Sequence, residues 1–161
     1  MSSQTAATKS KDTSSSVPIH KEQSNSRNRL SDAVARRAYE LFEQTGRGDG
    51  QDVSHWLQAE SELIAVPQIH ESSSWYTINY PIRGFSPEDV QIDLDSQRAI
   101  ITAENSRNTG EADNASASRE TLYLLAEWPG TVDPATASAY IKNDSLTLTV
   151  RRVDHAQSAN A

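Results

Sequence analysis

The feature that most narrows what this chain can become is a two-residue alternation running through its second half. Val90, Ile92 and Leu94 alternate with Gln91, Asp93 and Asp95, and Leu122, Leu124 and Ala126 with Tyr123, Leu125 and Glu127. Ala137, Ala139 and Ile141 alternate with Ser138 and Tyr140, and Leu146, Leu148 and Val150 with Thr147 and Thr149. Successive side chains of a strand point to opposite faces, so this period predicts half-buried strands. Residues 75–80, aromatic and β-branched, and residues 99–103 extend the set. Turn formers separate the runs: Gly84-Phe85-Ser86-Pro87-Glu88, Asp95-Ser96-Gln97, Pro129-Gly130 and Asn143-Asp144. Many short strands at such spacing predict a mainly β fold, a sandwich or a barrel, from about Pro67 to residue 152. Residues 105–119, polar and small, read as a flexible loop.

The chain has 161 residues, room for one domain with appendages. Residues 1–29 are rich in Ser, Thr, Gln, Lys and Asn and hold too little apolar surface to offset their ordering entropy, so a disordered tail is expected. In residues 30–64 the period lengthens: Leu30, Val34, Ala38, Leu41 and Phe42 recur at helical spacing before Gly46, Gly48 and Gly50 interrupt them. A second helix is expected from about Ser54, capped by Asp52 or Ser54, with Trp56, Leu57, Leu63 and Ile64 turned inward. The segment reads as a helical hairpin whose Trp56 and Leu57 serve packing. Residues 153–161 read as a short flexible C-terminal tail.

Charge and residue inventory exclude several classes of function. The formal charge is −7, and residues 65–161 hold thirteen Asp/Glu against seven Lys/Arg. An acidic surface repels a phosphate backbone, so no nucleic-acid partner is expected. The five Lys/Arg of residues 1–29 are scattered and read as solvated. No run of eighteen apolar residues exists and the N-terminus lacks the apolar stretch of a signal peptide, so no membrane association and a cytoplasmic location are expected. Without cysteine there is no disulfide and no thiolate chemistry. His20, His55, His70 and His155 lack metal-ligand spacing. Gly46, Gly48 and Gly50 are followed by no Gly-Lys-Ser/Thr, so they make no phosphate loop. The carboxylates Glu88 and Asp89, and Asp93 and Asp95, fall at turn or solvent positions. No enzyme, cofactor or metal is expected.

Three stretches, in order, resemble the α-crystallin domain of the small heat shock proteins. The run from Tyr80 through Pro81-Ile82-Arg83-Gly84-Phe85-Ser86-Pro87-Glu88-Asp89-Val90 resembles that family's Leu-Pro-Gly turn and the strand entry after it. Trp128-Pro129-Gly130-Thr131-Val132-Asp133-Pro134 resembles its Leu-Pro and Val-Asp corner. The run from Ala139 through Tyr140-Ile141-Lys142-Asn143-Asp144-Ser145-Leu146 resembles its Ala-x-Leu-x-Asn-Gly-Val-Leu signature. The resemblance implies an immunoglobulin-like antiparallel β-sandwich over residues 67–152, preceded by the helical hairpin and the tail. It implies an ATP-independent stress-response chaperone, a holdase that binds apolar segments of unfolding client proteins and self-associates as a dimer or larger. It also implies a client groove between the strand of Val90, Ile92 and Leu94 and the strand of Ala139 and Ile141; in the plainer reading those five residues fill the core.

The departures from the family pattern bear on assembly. The signature Gly-Val is Asp144-Ser145 here, and the family's interface arginine falls on Leu124. The loop at 105–119 lacks the alternation of an exchanged strand, and the C-terminus has no Ile-x-Ile. A second reading follows from them, an adaptor of co-chaperone type that binds one folded partner. A tripeptide of the missing form, Val17-Pro18-Ile19, lies near the other end, where Pro18 favours an extended backbone. The expectation is that it docks into the groove of a neighbouring subunit. Residues 36–63 resemble a short bacterial helical module of unknown function.

Overall fold

The computed structural model describes residues 15–20, 24–107 and 118–153. The expectations for residues 1–14, for the centre of the 105–119 loop, and for the tail from 154 onward, His155 included, lie outside the described residues.

The alternating runs become strands: β5 (Trp75–Pro81), β6 (Val90–Leu94), β7 (Arg98–Arg107), β8 (Ser118–Glu127), β9 (Val132–Lys142) and β10 (Ser145–Arg152). Four short strands join them: β1 (Ser15–Ser16), β2 (Ile19–His20), β3 (Ile64–Ala65) and β4 (Ile69–Glu71). One sheet runs β1-β9-β10-β5-β4 and the other β2-β6-β7-β8-β3. The two form a sandwich whose core takes the apolar member of each alternation, including Ile78, Ile92, Leu94, Ile101, Leu124, Leu146, Leu148 and Val150. The long strands pair antiparallel, while β2 joins β6 and β3 joins β8 in parallel. The Asn143-Asp144 link between β9 and β10 has φ of 51° and 57°, the left-handed pair of a two-residue hairpin turn. At one end of the core Tyr76 stacks on Trp128 at 5.9 Å, with the Arg152 guanidinium 5.1 Å from the Tyr76 ring centre.

The 105–119 loop expectation is corrected at both ends. β7 and β8 pair out to Arg107 and Ser118. A backbone ladder already running between two strands can continue without apolar alternation, so polar residues prolong it.

Helix α1 (Ser24–Gln44) begins six residues before the expected start, and β1 and β2 lie within what reads as tail, so residues 15–20 and 24–29 are ordered. The cause is tertiary. Ser26 is fully buried against Asp93, and Arg29 pairs with Glu104 at 3.2 Å, so polar residues with no helical stripe are held by the sheet beneath them. Gly46, with φ of 85°, ends α1: Arg47 N–H reaches back to the Phe42 carbonyl at 3.1 Å and Gly46 N–H to Glu43 at 3.4 Å. This pair of bonds around a left-handed glycine is a Schellman end.

Helix α2 (Asp52–Leu63) starts two residues early, after Gln51, and carries no side-chain cap from Asp52 or Ser54. Its inward face is His55 and Ala59, with Leu63 partly buried, not Trp56 and Leu57, which are 37% and 59% exposed. Arg37 on α1 donates to Glu62 on α2 at 2.6 Å.

The hairpin is no separate body. Leu30, Val34, Leu41 and Ala59 pack with Ile100 and Tyr123, and Leu125 borders the same cluster. Those three sheet residues are the outward members of the β7 and β8 alternations. The helices cover the second sheet's outer face, which would otherwise be a large exposed apolar patch.

Candidate functional site

The sandwich has two open sides, and at each one a short segment crosses from one sheet to the other. On one side β3 leads through Val66, buried Pro67 and Gln68 to β4. On the other, β1 adds to the free edge of β9, with Ser15 opposite Ile141 and Ser16 opposite Tyr140. Val17 N–H continues that ladder to the Ala139 carbonyl at 3.0 Å. Pro18 has no N–H to give, and there the ladder changes hands: Ile19 and His20 add to the free edge of β6, opposite Ile92 and Asp93. Residues 15–20 thus form a strap across the groove between β6 and β9.

Of the five expected groove residues, Ile92, Ala139 and Ile141 lie at this strap, and Val90 and Leu94 flank Ile92 along β6. Val90, Ile92, Leu94, Ala139 and Ile141 are buried members of the central core. Their side chains fill the sandwich, while the backbones of Ile92, Ala139 and Ile141 hold the strap. Val17 is 3% exposed and belongs to the same core, Ile19 packs against it partly buried, and Pro18 faces solvent. The groove that receives Val17, Pro18 and Ile19 is the chain's own. Beside the strap a cleft of about 360 Å³ remains open, lined by Val17, Pro18 and Ile19 and by Pro134, Ala135, Ala137 and Ser138 of β9. Its lining side chains are small or apolar, yet more of its surface is polar than apolar, because main-chain groups of the strap and β9 face it.

One group here escaped sequence reasoning. Asp93 is placed by alternation on the outward face of β6, yet it is only 2% exposed because α1 lies over it. It accepts hydrogen bonds from Ser26 Oγ in the first turn of α1 and from Gln91 Nε2 at 3.1 Å. Burial pushes its carboxyl above the ordinary carboxylate range, against the opposing effects of the Gln91 hydrogen bond and the charges of His20 and Arg29. Strap and helix therefore meet at one buried carboxylate. The paired polar residues Gln91 and Asp93 gave no hint, since their period is that of a solvated face. Leu124, where the family places an arginine, is fully buried in the core.

Among the described residues, no group of three His, Cys, Asp or Glu side chains is placed to hold a metal ion. No helix among them is long and apolar enough to cross a membrane.

Residues 29–65 match a family described as a protein of unknown function, DUF2934. This is the hairpin. No curated protein matches the chain. Solved structures similar to it include stress-induced protein 1 from Caenorhabditis elegans, 15% identical over 58% of this chain and 94% of that one, with a TM-score of 0.46. Heat shock protein 16.0 from Schizosaccharomyces pombe is 22% identical over 60% and 96%, at a TM-score of 0.45. The rat alpha crystallin domain is 18% identical over 60% and 99%, at 0.37.

Proposed function

We propose that this chain is an ATP-independent chaperone of the small heat shock type, capturing extended apolar segments of unfolding proteins in the groove between β6 and β9. The observation that carries this reading is the strap itself: the groove already holds an extended Val-Pro-Ile segment by edge hydrogen bonds and burial of Val17. A client segment of similar character would use the same edges. The strap is a modest competitor. Burying Val17 and part of Ile19 contributes about 2–5 kcal/mol and the main-chain bonds about 1 kcal/mol each. Ordering six residues costs about 1–2 kcal/mol apiece. Gain and cost are of similar size, so the strap can yield to a client at little expense. Because it fills the groove of its own chain, opening it, rather than separating subunits, is the step that admits a client.

The test is light scattering from a heat-aggregating protein, with equimolar chain and no nucleotide. Suppression is expected from the native chain and stronger suppression from the double variant Val17→Ser/Ile19→Ser, whose groove stands open. Failure of both folded proteins at several-fold excess would defeat the reading. A second reading is favoured by the crossing segments on both open sides within a single chain, which leave only the two- and three-residue strands β1, β2, β3 and β4 at the sheet margins among the described residues: an adaptor binding one folded partner. A stoichiometric complex with a single folded protein, without suppression of aggregation, would select it.

A further inference from the structure

The outer end of the helical hairpin, remote from the groove and unused by the proposed chaperone activity, carries a cleft of about 330 Å³. It is lined by Ala38, Tyr39 and Phe42 of α1 and by Asp52, His55 and Trp56 of α2. Tyr39 is 58% exposed, and Trp56 also faces solvent. The rings do not collapse into a stack. Tyr39 and Phe42 are tilted by 33° at 6.3 Å, and Phe42 meets His55 edge-on at 79° and 6.3 Å. Trp56 Nε1 donates to Glu60 Oε1 at 2.9 Å, which fixes the indole and uses up its only donor. What remains for a ligand is chiefly aromatic surface, with the hydroxyl of exposed Tyr39 beside it.

The polar groups agree in sign. Thr45 Oγ1 lies 2.9 Å from the Leu41 carbonyl and 3.0 Å from His55 Nε2, so one ring nitrogen of His55 is engaged. The other ring nitrogen, His55 Nδ1, is buried, in a residue 4% exposed, and has no hydrogen-bond partner among the described residues. Asp52 sits at the first position of α2. The N-terminus of a helix by itself favours an anion, but Asp52 already supplies that charge. Residues 39–62 hold six carboxylates against one cation, Arg47, which is paired with Glu43. Among the described residues Asp49, Asp52 and Glu60 form no ion pair. Asp52, exposed at the cleft, gives a cation a charge partner that it cannot give an anion, and the aromatic lining gives the cation rings to lie against.

The geometry points to a binding site for an alkylammonium group in this cleft, supplied by a small free amine or by the end of a lysine side chain. The test follows the indole N–H resonance of Trp56 in the full chain during titration with choline, with N-acetyl-lysine methylamide, and with the neutral analogue of choline that carries tert-butyl in place of trimethylammonium. Sodium chloride controls for ionic strength. A saturable shift is expected for the ammonium compounds, half-complete in about the millimolar range, and none for the neutral analogue or salt. Tighter binding of choline identifies a free quaternary amine as the source, and tighter binding of the lysine derivative a side chain. Asp52→Asn and Tyr39→Ala, both at exposed positions, are each expected to weaken binding about tenfold with the circular dichroism unchanged. Equal response to the neutral analogue, no saturable response, or indifference to both substitutions would overturn the assignment.

Discussion

Asp93 shows how one residue can carry a conflict between local pattern and tertiary surroundings. Its carboxylate lies under α1 with Ser26 and Gln91 as partners, and burial holds its pKa above the usual range. Between the ordinary carboxylate pKa and the raised one, the folded chain binds more protons than the unfolded chain, so this group lowers stability as pH rises through that window. Asp93→Asn keeps an acceptor and discards the charge. Its melting temperature is expected to exceed that of the native chain at neutral pH, with the difference shrinking to nothing as pH falls below the ordinary carboxylate range. A constant difference across thermal melts from acid to neutral pH would show that the charge is not the cause. Asp144 poses a backbone question instead. At φ of 57° an L side chain costs about 1–2 kcal/mol, partly offset by the entropy a glycine would lose. Asp144→Gly is expected to gain up to about 0.5 kcal/mol in urea unfolding, and Asp144→Val to lose about 1 kcal/mol or more.

Among the elements, the hairpin and the strap have opposite origins. The hairpin's apolar residues announce two helices, and Gly46 marks the end of the first, yet the inward face of α2 falls on His55 and Ala59, one step from the tryptophan and leucine that composition favours. The histidine is accepted inside because Thr45 and the edge of Phe42 meet its ring. The strap has almost no local signal beyond a valine, a proline and an isoleucine. It is ordered by two sheet edges brought together only in the folded chain. Deleting residues 1–20 is expected to leave the sandwich folded by circular dichroism while exposing the β6 and β9 edges, so that chromatography shows concentration-dependent association. Deleting residues 1–63 also strips the cover from Ile100, Tyr123 and Leu125 and is expected to yield aggregated protein.

At the scale of the whole molecule, both open sides of the sandwich are closed by crossing segments and one of the two outer faces by helices. The buried alternation of the long strands sustains all of this. Leu148, fully buried on β10 between β9 and β5, is expected to cost about 2–5 kcal/mol as Leu148→Ala, read as a single cooperative loss in chemical unfolding. That alternation is what the sequence by itself determined: a side chain's face on a strand follows from a two-residue repeat, and the choice of Ile92, Leu124 or Leu148 as core needs no knowledge of neighbours. The turn at Asn143 and Asp144 was legible for the same local reason. What only the tertiary structure decided is where polar and short segments settle. Ser26, Asp93, the β7–β8 extension and the strap at Val17 depend on surfaces from residues far away in the chain. The energy of an added edge strand or a covered carboxylate resides in the partner, so no local window of sequence contains it.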